Sequence, residues 1–270
     1  MASGSIGNAF WARIYESVTV VGTTDAAGFP ASNVLDWSHP SIRWQSDTLT
    51  GDKTLVFDFG ASPPSYAGFY LGRVNFTSAV LQANAADVWT SPTYSVAITP
   101  TQDAFVNRKQ GLHFFNADRS TIALRYARLR IPSGTGVDDS STEYKVGVMV
   151  PIVSSIEVDN RAAIRLQVTK AVLRNELPGG GRDIVGIGVR RMRLELPWEW
   201  LWDPTVNPAV NEESMMLNLA SDPDTPVVVC RNINKPEQAY LSRAEVESVV
   251  QLESNSGIGA TMPLVFIEVI

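Results

Sequence analysis

The chain has 270 residues and a mass of 29.4 kDa, enough for one large β domain or two ordinary ones, and its 19 glycines and 16 prolines are far from the proportions that mark disorder or collagen. With 22 Lys and Arg against 28 Asp and Glu, a net charge of -6 and a pI near 5.0, its surface has no general basic field to attract nucleic acid or anionic lipid. A single cysteine, Cys230, excludes an internal disulfide framework and a cysteine-based metal cluster, and two histidines, His39 and His113, are too few for a histidine metal centre.

Met1 to Asn8 has neither a positive start nor an apolar stretch of secretory length, so export by the general route is not expected. No run reaches the roughly 18 consecutive apolar residues that span a bilayer, and the expectation is a soluble chain without membrane insertion. Period two then dominates. Leu55, Phe57 and Phe59 share one face and Thr54 and Asp58 the other, as a half-buried strand requires. Residues 132–143 run through Ser133, Gly134, Gly136, Asp138, Asp139 and Ser140, the most polar stretch of the chain, and read as a long loop. Tyr144 to Val153 is β-branched and apolar, a deeply buried strand.

The boundary between two domains falls near Asn160. Arg161 to Leu173 fits a helix through Ile164, Val168, Ala171 and Val172, yet Ile164, Leu166 and Val168 alternate and a turn at Gly179-Gly180-Gly181 follows, so strand is preferred. Met192, Leu194 and Leu196 alternate with Arg191, Arg193 and Glu195 in a further strand. Trp198 to Trp202, entered through Pro197 and left through Asp203-Pro204, fits a short helix or a strand. Thr225 to Cys230, Ala244 to Leu252 and Leu264 to Ile270 complete the predicted strands.

Residues that could carry chemistry are few. No Gly-x-Ser-x-Gly elbow exists; His39 is a loop histidine near the turn residue Asp36, an ordinary arrangement, and His113 sits between Leu112 and Phe114 in a strand-like setting. Cys230 ends a valine run and reads as a buried apolar side chain. Asp138-Asp139 and Asp222-x-Asp224 lack the remaining oxygens of a calcium loop, and Gly186-x-Gly188 lacks the third glycine of a phosphate cradle. No catalytic residue, cofactor or metal is therefore expected. Seven tryptophans are more informative: Trp198, Trp200 and Trp202 would share a face on a strand, as a ledge for sugars or a protein interface, or else fill a core. Trp89 and Trp11 read as partly exposed, and Phe10-Trp11 as a segment that docks on something.

The order of motifs in the first half is distinctive. Phe29-Pro30-Ala31-Ser32-Asn33-Val34-Leu35-Asp36, Trp44, Leu55 to Gly60, Tyr70, Asn75 and Ala123 to Ile131 together resemble the discoidin family, also called coagulation factor 5/8 type C-like. The resemblance covers about the first 150 residues and implies a β-sandwich jelly roll whose members in several cases bind sugars or lipid head groups through loops at one end; it transfers no ligand set to this chain. Read from the residues alone, Asn33 and Asp36 close turns, Trp44 anchors the core, and a change of phase between Ile122-x-Leu124 and Leu129-x-Ile131 calls for a bulge or for Arg125 or Arg128 buried against a carboxylate such as Asp58.

The expected fold is thus all-β: a discoidin-like jelly-roll sandwich over 1–159 and a smaller β-sandwich or barrel over 160–270 that serves assembly. Its layout is similar to that of tail or baseplate proteins of tailed bacteriophages. That similarity implies a non-enzymatic virion component in a ring of three-fold or six-fold symmetry. Other tail proteins would be its partners, Phe10, Trp11, Trp198, Trp200 and Trp202 its interfaces, and host glycans a further contact. The alternative is a carbohydrate-binding module or lectin acting alone.

Overall fold

The computed structural model describes residues 9–15, 17–38, 41–104, 106–158, 165–169, 172–176, 182–186, 191–200, 226–244 and 260–268. The chain divides into two units, Met1–Asp159 with Val227–Leu241, and Asn160–Pro226 with Ser242–Ile270. Val227–Leu241, which the sequence alone places with the later part, returns to the first unit.

In the first unit one sheet runs in the order β2 (Thr19–Gly22), β4 (Lys53–Asp58), β10 (Tyr126–Ile131), β6 (Ala79–Asn84) and β7 (Tyr94–Ile98), all antiparallel. The second runs β16 (Val227–Cys230), β1 (Ala9–Ile14), β11 (Lys145–Val158), β5 (Gly68–Val74), β9 (Arg108–Phe114) and β8 (Thr101–Asp103), with β3 (Trp44–Gln45) also paired to β11. The fold is all-β, and the first unit is the discoidin-like sandwich expected. The only helical turns among the described residues are two short 3-10 segments, Ala31–Leu35 and Pro236–Gln238.

Alternation decides what lies between the sheets. Leu55, Phe57, Leu81, Ala127, Leu129 and Ile131 from one sheet meet Phe69, Leu71, Val146 and Met149 from the other. Trp44 is fully buried in this core, as its position after the turn predicts, and its Nε1 donates to Asp25 Oδ1 at 2.8 Å. Aromatic rings close the far end, with Phe59 stacked on Tyr66 at 4.6 Å between centroids and Phe57 5.0 Å from Phe69. Gly68 is required by packing, because a Cβ there would lie 2.0 Å from the carbonyl oxygen of His113 on the neighbouring strand.

The strands β5, β9 and β11 are buried on both faces. Behind them Tyr70, Leu112, Val148, Val150 and Ile152 form a second apolar cluster with Val228, Cys230, Ala239 and Leu241 of the returning segment. Polar contacts fasten that cover: Gln110 Nε2 donates to the carbonyl of Ala239 at 2.8 Å, and Tyr240 Oη donates to Asp103 Oδ2 at 2.5 Å, both buried. The predicted strand at 144–153 is continuous and apolar because neither of its faces meets water.

In the second unit β15 (Arg191–Trp200) lies between β12 (Arg165–Thr169) and β18 (Ala260–Glu268), and residues 242–244 of β17 (Ala239–Ala244) pair with the other edge of β18. β13 (Val172–Glu176) and β14 (Arg182–Gly186) form a separate hairpin. The ambiguous stretch at 161–173 contributes strands, and β15 carries the chain extended through Trp198 and Trp200, so the helix alternative at 198–202 does not form as far as Trp200. Most of the strand predicted at 244–252 lies outside the described residues.

Tyr240→Phe removes a buried donor from Asp103 while leaving the ring in place. A loss of about 1–3 kcal/mol in urea unfolding is expected, the cost of a buried carboxylate deprived of a partner.

Candidate functional site

One end of the first unit gathers the loops that leave β2, β5 and β10 and those that enter β3, β4, β6 and β11. Backbone bonds tie them together: Thr77 N donates to Gly136 O at 2.9 Å, Asp138 N to Asn75 O at 2.9 Å, and Ser46 N to Tyr144 O at 3.0 Å. Tyr144 Oη, at the mouth of the core, donates to Thr135 O at 3.0 Å.

Three lysines then pin these loops from below. Period two carries Lys53 onto the same face as Leu55 and Phe57, and its ammonium reaches Asp47 Oδ1 at 2.5 Å, Thr24 Oγ1 at 3.0 Å and Thr48 Oγ1 at 3.2 Å. Lys109 Nζ bridges Phe76 O at 3.1 Å and Asp138 Oδ2 at 2.5 Å. Lys145 Nζ holds Ser141 Oγ and, at 3.1 Å, Asp139 Oδ2. The Asp138-Asp139 pair, weighed above as calcium ligands, is thus neutralised by ammonium groups, and Asn75 Nδ2 also donates to Asp139 Oδ1 at 3.1 Å. Asn75 itself is buried, donating to Glu143 O and accepting from Lys145 N.

Above this platform runs a row of polar and aromatic groups. The Arg43 guanidinium stands 5.3 Å from the centroid of the Phe29 ring, and its Nε donates to Gln45 Oε1 at 2.7 Å. Gln45 Nε2 donates to Glu143 Oε1 at 3.2 Å, and Thr142 Oγ1 to Glu143 Oε2 at 2.8 Å. Phe29 and Arg43 are half-buried, whereas Gln45 is buried and holds its neighbours in line. Two aspartates here have lowered pKa values. The Lys53 ammonium holds Asp47 at about 2, and against the desolvation of its site hydrogen bonds from Ser141, Asn75 and Lys145 hold Asp139 at about 2. Among the described residues every aspartate with a displaced pKa is displaced downward, and no cluster of three or more metal-ligating side chains occurs.

The remaining candidates are dispersed. Arg125 makes the predicted pair with Asp58, Nε to Oδ1 at 2.8 Å and Nη2 to Oδ2 at 2.9 Å, but at the surface; no bulge is needed, since Arg125 precedes a regular β10. Arg128 lies 4.3 Å over the half-buried Trp89, whose Nε1 donates to Asp87 Oδ1 at 2.6 Å. Asn33 and Asp36 act in turns: Asn33 Nδ2 donates to Arg43 O at 2.9 Å, and Asp36 Oδ1 accepts from Ser38 N at 3.0 Å. Cys230 is buried, its thiol pushed up to about 12 by burial. Phe10 and Trp11 lie on β1, whose two edges are taken by β11 and β16, and Trp198 and Trp200 on β15 opposite Met262 and Ala260. Trp202, His39, Asp222, Asp224, Gly179 to Gly181 and Gly188 lie outside the described residues. Sequence reasoning missed the row from Phe29 to Glu143, for which no motif existed; the three lysine anchors left one trace, a lysine on the apolar face of a strand.

No protein-family model matches the chain, and no curated protein does. Solved structures do resemble about half of it. The chitosan-binding module 1 of a chitosanase/glucanase from Paenibacillus sp. IK-5, in a selenomethionine-labelled mutant form, is 18% identical over 50% of this chain and 94% of its own, with a TM-score of 0.37. The family 32 carbohydrate-binding module of Clostridium perfringens NanJ, in complex with galactose, is 14% identical over 53% and 98%, with a TM-score of 0.38. A family 32 module from a family 31 glycoside hydrolase of Clostridium perfringens is 14% identical over 52% and 96%, with a TM-score of 0.39. None of these is a tail or baseplate protein. The expectation of a bacteriophage tail component, drawn from domain layout, is corrected accordingly.

Two outcomes follow from the site and its surroundings. Lys53→Met removes the ammonium that joins the loops at Thr24 and Asp47; a loss of about 1–3 kcal/mol in urea unfolding is expected, with faster amide exchange over 23–26 and 46–50. His113, on β9 opposite Phe69, has a buried Nε2 without a protein partner, and burial pushes its pKa down to about 4 from 6.5. The neutral ring is favoured in the fold, so its contribution is complete above pH 6.5 and is lost as the pH falls toward 4, up to about 3 kcal/mol. His113→Leu flattens the stability profile between those values, whereas Asp47 and Asp139 act only from 3.8 down to about 2.

Proposed function

We propose that the first unit is a non-catalytic carbohydrate-binding module that holds a glycan at its lysine-pinned loop end. The observation that carries this reading is the continuous row Phe29, Arg43, Gln45 and Glu143: an aromatic ring, a planar donor, an amide and a carboxylate, drawn from three separate parts of the chain. A sugar ring presents an apolar C–H face and a rim of hydroxyls, and such a row answers both. Because Lys53, Lys109 and Lys145 hold the loops before any ligand arrives, little ordering entropy is lost on binding. Binding without hydrolysis agrees with Asp47 and Asp139, whose carboxyls are held well below the usual range and engaged by Lys53 and Lys145; a glycan-cleaving site needs an acid held in the protonated form.

A glycan array followed by titration calorimetry on the intact protein tests this. Phe29→Ala should weaken the best ligand about tenfold while the unfolding midpoint stays near that of the parent. Unchanged affinity in that variant, or an array without a ligand, contradicts the reading.

A further inference from the structure

We propose that the loop end selects saccharides that carry a carboxylate, hexuronates above all, and that Arg43 is the residue that reads it; this rests on the carbohydrate-binding reading and deepens it. Lys53, Lys109, Lys145, Arg125 and Arg130 each have a carboxylate partner within 3.1 Å. Arg43 has none among the described residues. Its one side-chain hydrogen bond runs from Nε to Gln45 Oε1 at 2.7 Å, and Gln45 is in turn buried and tied to Glu143. With Nε anchored and Phe29 beneath the guanidinium, Nη1 and Nη2 are left as a fixed fork.

A planar fork of that kind matches a carboxylate through two parallel N–H bonds, which a hydroxyl cannot imitate. The acids nearby do not compete for it. Glu143 accepts from Gln45 and Thr142, and Asp139 from Asn75 and Lys145. In a chain of net charge -6 an anion gains nothing from the general field, so the attraction is local to this group. Arg128 supplies an internal contrast. It too lies over a ring, Trp89, and bonds a glutamine, but Gln82 Oε1 takes both its Nε and Nη2, and it sits on the outer face of the β4–β10–β6 sheet.

The test is calorimetry of the intact protein with polygalacturonate, alginate and hyaluronan against the carboxyl-reduced form of each polymer. At least one acidic polymer should bind ten or more times tighter than its reduced form. Arg43→Gln should erase that ratio, Arg43→Lys should keep part of it, and Arg128→Gln should leave it intact, all with parent-like unfolding midpoints. Equal binding of acidic and reduced forms, or a ratio that survives Arg43→Gln, overturns the selection of carboxylates and leaves the carbohydrate-binding reading standing. Binding of none of the six polymers overturns the selection, and if the glycan array is also silent both readings fall together.

Discussion

Burial of β5, β9 and β11 on both faces is the constraint from which the rest of the first unit follows. One face closes against the five-stranded sheet and the other against Val227–Leu241, so the cover arrives only after the chain has run through Asn160–Pro226 of the other unit. A strand buried on one face can tolerate a polar alternate, but these cannot, and Val146, Val148, Met149, Val150 and Ile152 are apolar without interruption. Two buried polar pairs fasten the cover, Gln110 with Ala239 and Tyr240 with Asp103.

That rigid body sets up the loop end. Loops that leave a well-packed sandwich are free to vary, yet here each is fastened by a lysine whose stem lies against the strands and whose ammonium meets loop oxygens. Lys53 is the clearest case. It takes a core-facing position, where an ammonium without partners would be costly, and three oxygens from two loops receive it. The row from Phe29 to Glu143 stands on these fastened loops.

The withdrawal of the tail-component expectation shows where sequence reasoning overreached. Domain order and the tryptophans near residue 200 suggested assembly, but layout is shared by chains with different roles, and an aromatic residue on a strand fills a core as readily as it makes an interface. Phe10-Trp11, read as a segment that docks on something, lies on a strand paired along both edges with its own chain. Reading the end loops as the place for a glycan depended on the discoidin resemblance, and the proposed glycan site attaches named side chains to that reading.

Local pattern was enough to determine the all-β class, the strand at β4, the buried strand at 144–153, the turn roles of Asn33 and Asp36 and the burial of Trp44 and Cys230, since each depends on alternation or turn chemistry. Only the tertiary structure decided that Val227–Leu241 covers the first unit and that Phe29, Arg43, Gln45 and Glu143 stand in one row. Those contacts join residues up to 137 positions apart, and their register is set by how strands pair across the sheets, which no stretch of sequence specifies by itself.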